Sequence, residues 1–135
     1  MPKSAREQLA QEKASKKVVL DKDFAGIKAG QRMLVATPQM VDQFIAGIPP
    51  GQTMTIVELR EALAASQGCD ATCPVSTAIF IRIVAQAAVD EMAEGATVSE
   101  VTPFWRLLDS QEKIAKKLTV DPHWLDHQRA LEASA

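Results

Sequence analysis

Cys69 and Cys73 are the two cysteines of this 135-residue chain, and a thiol at a helix start is a candidate nucleophile because the helix N-terminus favours the thiolate. Cys73 stands directly before Pro74, where such a start is expected. His123 and His127 lie four apart beside Asp126, a spacing that places both rings on one helix face and is able to hold a metal. No third ligand lies near them and no His-Glu-x-x-His pattern is present, so they read as a polar surface pair and no metal is expected. Ser76 and Thr77 offer hydroxyls to a phosphate at the first turn of a helix, or else satisfy backbone donors there. Phe104-Trp105-Arg106 has two further uses. The rings could stack on a flat base, worth roughly 1 to 3 kcal/mol per base, or fill a core junction. The guanidinium could grip a phosphate or tie a loop to nearby carbonyls and carboxylates. No phosphate loop, dinucleotide fingerprint or serine-triad signature occurs, and no cofactor is expected.

The elements that must position these groups belong to one domain, since 135 residues bury a single core. The balance of 47% hydrophobic and 24% charged residues is that of a globular chain. No apolar run approaches the roughly 20 residues of a membrane helix, and Met1-Pro2-Lys3-Ser4 lacks the apolar core of a secretory signal, so the expected compartment is the cytoplasm. The cysteines are too few for a disulfide scaffold and are expected as free thiols. Residues 1–17 hold Lys3, Arg6, Lys13, Lys16 and Lys17 against Glu7 and Glu12, a net +3 without apolar periodicity. They read as a flexible basic arm, leaving 18–135 as the domain.

Helix punctuation is clear from Thr37 onward. Thr37-Pro38 supplies an N-cap and a first-turn proline, and Met40, Val41, Phe44, Ile45 and Ile48 recur at helical spacing up to Pro49-Pro50-Gly51. Thr55 with Glu58 forms a capping box for a helix burying Leu59, Ala62 and Leu63 and ending at Gln67-Gly68. A long helix runs from Cys73-Pro74 to about Glu94, stopped by Gly95. Val98 to Val101 and Phe104 to Leu108 read as short strands, and Asp121-Pro122 caps a last helix. Val18-Val19-Leu20 and Met33-Leu34-Val35 read as strands or ordered extensions. The expected fold is mainly α with a small β element, a winged helix-turn-helix with an N-terminal extension.

Three segments together resemble the C-terminal DNA-binding domain of the O6-alkylguanine-DNA alkyltransferases and their non-catalytic alkyltransferase-like relatives. Ile48-Pro49-Pro50-Gly51-Gln52-Thr53-Met54-Thr55-Ile56-Val57-Glu58-Leu59 is similar to that family's Ile-Pro-x-Gly-x-x-x-Thr-Tyr-Gly-Glu-Leu. Cys73-Pro74-Val75-Ser76-Thr77-Ala78-Ile79 falls where the family begins its recognition helix with Arg-Ala-Val-Gly-x-Ala-Met. Pro103-Phe104-Trp105-Arg106-Leu107 falls where the enzymes carry Pro-Cys-His-Arg-Val. The resemblance covers about residues 38–110 and implies a non-enzymatic protein, since Phe104 stands at the acceptor cysteine. Cys73 as a displaced acceptor is the minor alternative. Ile56 and Cys73 occupy the positions of the family's phosphate-rotating tyrosine and its finger arginine, groups that offset the cost of flipping a base.

The resemblance therefore implies binding of double-stranded DNA, possible sensing of alkylated or damaged bases, and contact through Thr55, Ser76, Thr77, Phe104, Trp105, Arg106 and Lys113. The charges test this. The net charge of −2 argues against bulk attraction to nucleic acid, and Pro74 to Glu94 carries Arg82 against Asp90, Glu91 and Glu94, a net −2. Arg106, Lys113, Lys116 and Lys117 against Asp109 and Glu112 leave +2 after the loop, which supports weak, salt-sensitive backbone contact. The long helix is apolar on nearly all sides. It calls for cover from Val18 to Val35 or from a second subunit. The alternative function is a protein-interaction or structural module that has lost DNA binding.

Overall fold

The computed structural model describes residues 4–11 and 14–134. It is mainly helical with one small sheet. In chain order the elements are α1 (Ala5–Ala10), β1 (Lys16–Val19), β2 (Arg32–Val35), α2 (Pro38–Ala46), α3 (Ile56–Ser66), β3 (Ala71–Thr72), α4 (Pro74–Ala93) and α5 (Pro122–Ala133). Short 3-10 turns occupy Val98–Glu100, Phe104–Arg106 and Ala115–Lys117 between α4 and α5.

The helix starts follow their caps. The Thr37 hydroxyl accepts from the Met40 N–H, and Pro38 opens α2. At α3 the Thr55 hydroxyl accepts from Glu58 N–H while the Glu58 carboxylate accepts from Thr55 N–H, so both halves of the capping box form. The Asp121 carboxylate accepts from the His123 N–H at the start of α5. Gly68, at φ +66°, and Gly95, at φ +111°, carry the chain out of α3 and α4 through the left-handed region that a side chain would disfavour.

The strands fall elsewhere than expected. Val98–Glu100 and Phe104–Arg106 are 3-10 turns, and the sheet is built from β1, β2 and β3 in that order. β1 pairs antiparallel with β2, from Lys16 opposite Val35 to Val19 opposite Arg32, and β2 pairs parallel with β3. The reason is burial. Phe104, Trp105, Leu107 and Leu108 are all buried, and a strand, whose side chains alternate, cannot send neighbours such as Phe104 and Trp105 into one core. A tight turn can.

Two corrections concern the N-terminus. Ala5–Ala10, expected within a flexible arm, is a short helix capped by Ser4 and laid against α4 and α2. Arg6 makes an ion pair with Glu94, Leu9 packs against the core, and the Gln39 amide donates to the Leu9 and Gln11 carbonyls. Lys16 and Lys17, also assigned to the arm, belong to β1. The other arm positions 1–3, 12 and 13 lie outside the described residues. The long helix α4 draws its cover from α1, α2 and the Phe104–Arg106 turn, rather than mainly from Val18 to Val35. Its polar stripe is used for docking: Gln86 bonds Asp90 and Thr119, and Glu94 takes Arg6.

Candidate functional site

At Pro103 to Leu107 the chain turns because Arg106 N–H reaches the Pro103 carbonyl at 3.0 Å and Leu107 and Leu108 N–H both reach that of Phe104. The turn drives two rings inward. Phe104 is 0% and Trp105 1% exposed. A third ring, Trp124 from α5, completes the cluster: it stacks on Phe104 at 5.9 Å between centroids and meets Trp105 edge-on at 5.6 Å. Trp105 in turn meets Phe104 edge-on at 5.5 Å. The face of Phe104 that could receive a base is therefore covered by Trp124. A cleft of about 320 Å³ does open beside the turn, bordered by Ala46, Ser99, Thr102, Pro103, Trp105 and Arg106, but Phe104 does not line it.

Arg106 is equally committed. Its Nε and Nη2 donate to the Glu132 carboxylate at 3.0 and 2.6 Å, and Nη1 donates to the Ile48 carbonyl at 2.7 Å. The guanidinium carbon also lies 5.7 Å from the Trp105 ring centre. The Arg106 carbonyl accepts from the Met54 N–H at 2.9 Å, and Arg129 donates to the Trp105 carbonyl at 2.7 Å. One planar fork thus joins the α2–α3 loop, the turn and α5. The guanidinium holds the Glu132 carboxyl below the usual glutamate range, against the opposing effect of burial. The Trp105 indole N–H is buried without a hydrogen bond among the described residues, yet lies near enough to Glu132 to favour its ionised form as well.

The other expected contact residues scatter. Thr55 is exposed, but its hydroxyl is occupied as the α3 cap. Thr77 is 0% exposed and donates to the Cys73 carbonyl at 2.6 Å, so its hydroxyl faces into the fold. The Ser76 Oγ is buried with no hydrogen-bond partner among the described residues. Lys113 is exposed, in the segment leading to Ala115–Lys117. Cys69 and Cys73 are free thiols, Cys73 buried. Asp126, beside the histidines, accepts instead from the Ser110 N–H and hydroxyl at 2.9 and 2.5 Å, which lowers its pKa.

A different surface gathers open groups. The sign of α4 is not uniform along its length: Asp90, Glu91 and Glu94 all lie in its last turns or just beyond, and the first half carries Arg82 with no acid. Val75 and Ile79 are each 55% exposed there. The β1–β2 hairpin, 16–35, bears Lys16, Lys17, Lys22, Lys28 and Arg32 against Asp21 and Asp23, a net +3. Its loop at Ala25 to Ile27 meets Val57, Arg60 and Glu61 of α3 and Pro74 of α4 across a cleft of about 260 Å³ that Asp70 also lines. The hairpin's charge was visible in the sequence; its position beside the starts of α3 and α4 was not, because it depends on the pairing of β2 with the distant β3. No protein-family model, curated protein or solved structure matches this chain.

Proposed function

We propose that this chain is a non-enzymatic, cytoplasmic DNA-binding protein of alkyltransferase-like ancestry. It meets the duplex with the hairpin and the starts of α3 and α4, while the Phe104–Arg106 turn holds the fold together. In this reading α3 and α4 are the helix-turn-helix pair, and the hairpin takes the part of a wing from the N-terminal side. The observation that carries it is the +3 charge of a hairpin whose loop at Ala25 to Ile27 lies across a cleft from Pro74, at the start of α4. The ancestry draws support from the contact between segments far apart in sequence: Ile48 and Met54 of the first resembling segment both bond Arg106 of the third.

Phosphate neutralisation makes affinity fall with salt, with a log–log slope of about −0.9 per phosphate contact. Lys28 is paired with Asp23 at 3.4 Å, leaving Lys16, Lys17, Lys22 and Arg32, so a slope of about −3 to −4 is expected. Fluorescence anisotropy with a short duplex over a salt series measures it. Absence of affinity even at low salt overturns the reading. Because Trp124 covers Phe104, intact and O6-methylguanine duplexes should bind alike; a preference for the lesion that Phe104→Ala removes would restore base sensing by that ring.

A protein-interaction module is the second reading, favoured by one observation. Val57, Val75 and Ile79 are all more than half exposed on α3 and α4, where a groove-reading helix would present polar or basic groups.

A further inference from the structure

The β1 strand is the open edge of the sheet, and all four of its residues are exposed. Leu20 N–H donates to the Gln31 carbonyl, and the register pairs Val18 with Met33 and Lys16 with Val35. In an antiparallel ladder residues alternate between facing the partner strand and facing away. The backbone N–H and C=O of Lys17 and Val19 therefore point outward, to no described strand. Natural edges are commonly blunted by lysine, proline or a bulge. Here Lys16 and Lys17 guard one end, while Val18 at 40%, Val19 at 63% and Phe24 at 43% exposure leave the other apolar.

We propose that this edge receives an extended segment of a partner protein that is acidic at one end and apolar at the other. The acidic residues lie against Lys16 and Lys17, which make no ion pair among the described residues. The apolar end enters the cleft of about 270 Å³ formed by Leu20, Phe24 and Met33 together with Asp21, Lys22 and Asp23. At that end Lys22 stands between Asp21 and Asp23, and Asp23 is paired with Lys28, so the cleft offers an acid no net attraction and the Lys16–Lys17 pair fixes which way the segment lies. Backbone pairing supplies affinity and the alternating side chains supply selectivity, as in other strand additions. A second copy of β1 is a poorer occupant: in parallel it sets lysine against lysine, and in antiparallel register it sets Lys17 against Val19, so neither brings an acid to the lysines. This surface overlaps the DNA reading at Lys16 and Lys17, whose charge both use; the segment alone needs the outward backbone of Lys17 and Val19, which a duplex does not.

The test uses the full chain and labelled peptides EEVTVLF and FLVTVEE, which present the same ends in parallel and antiparallel directions, with KKVTVLF and FLVTVKK as charge-reversed twins. One acidic peptide should bind, and its twin at least about tenfold more weakly. Val19→Pro removes an outward N–H without touching the ladder to β2, and should weaken the peptide about tenfold or more while leaving the duplex salt slope and the melting temperature nearly unchanged. N-methylation of alternate peptide amides should do the same with the protein unaltered. K16E/K17E should invert the preference between the twins. The proposal is overturned if neither acidic peptide binds at millimolar concentration, or if binding ignores both Val19→Pro and N-methylation. It is also overturned if sedimentation shows a dimer that Val19→Pro dissolves, which would assign the edge to a second copy.

Discussion

At the Phe104–Arg106 turn, all three guanidinium nitrogens that face the protein reach acceptors within 3.0 Å, and each ring lies against another ring. Along the β1–β2 hairpin, four of five cations stand without an ion pair among the described residues, and the outer edge of β1 has no neighbouring strand among them. The first region has the side chains of a recognition site but holds its rings and its guanidinium against one another and the fold. The second has ordinary side chains and leaves them open. Availability, set by burial and pairing, separates the two more sharply than residue type does.

The comparison breaks most plainly if the turn tolerates truncation. Trp105→Ala should cost about 3 to 5 kcal/mol, the range for removing a large buried aromatic side chain, and should be read by chemical denaturation. Val19→Ala on the open edge should stay within about 0.5 kcal/mol. If Trp105→Ala proves equally mild, the ring is not part of a packed core and the pocket reading returns.

Arg106 comes next. Its side chain and that of Glu132 are 13% and 18% exposed, so Arg106→Ala strands a largely buried carboxylate and the Ile48 carbonyl. A loss of about 2 to 3 kcal/mol is expected, below the range for a fully buried pair. Arg106→Lys should rescue little, since one ammonium cannot span Glu132 and Ile48 together. The pair also sets the acid limb. Glu132 and Asp126 are both held below their ordinary values of 4.5 and 3.8, by Arg106 and by Ser110 respectively. A carboxyl depressed in the folded state contributes stability above its unfolded pKa and loses it as pH falls through the folded one. Melting temperature should therefore decline from about pH 4.5 downward, and Glu132→Gln should make that decline shallower. An unchanged acid limb in this variant would remove the pair from the account.

How far such features could be read from sequence depended on their range along the chain. Thr37-Pro38, Thr55 with Glu58, and Asp121-Pro122 act within one helical turn, and each caps the helix expected of it. The structural alternative for Arg106, a fork tying a loop to carbonyls and carboxylates, was also legible as chemistry; its partners Ile48 and Glu132 were not, being 58 and 26 residues away. The same holds for Trp124 over Phe104 and for α1, fixed to α4 by Arg6 and Glu94, which are 88 positions apart. The apolar stretch Phe104 to Leu108 suggested a strand from residue type alone. Its consecutive burial, a tertiary fact, makes it a turn. Thr77 failed as a contact for a local reason: its hydroxyl bonds back to the Cys73 carbonyl of its own first turn.

Thr55 gives an intermediate effect that sharpens the boundary between the regions. It is exposed near the open surface yet engaged as a cap. Thr55→Ala should cost about 1 kcal/mol, and Thr55→Asp, which keeps a cap oxygen but adds charge, should restore most of it. A duplex bound near this residue would be weakened by the aspartate despite the restored stability. If Thr55→Asp leaves affinity intact, the DNA surface does not reach the start of α3.

A small stability change belongs to Val75 and Ile79, and it is the most discriminating. Each is 55% exposed on the first turns of α4, so Val75→Ser with Ile79→Ser should shift stability by about 1 kcal/mol or less. The two readings of function then diverge without confusion from unfolding. A duplex held by phosphate contacts gains nothing from these methyl groups and should bind the double variant with unchanged affinity and salt slope. A protein partner would bury them near the centre of its interface, where removing large apolar side chains costs most. Retained duplex binding in the double variant places the recognising groups on the hairpin and Arg82. Loss of duplex binding, with the fold intact, would show that α4 itself lies in the interface through its apolar face.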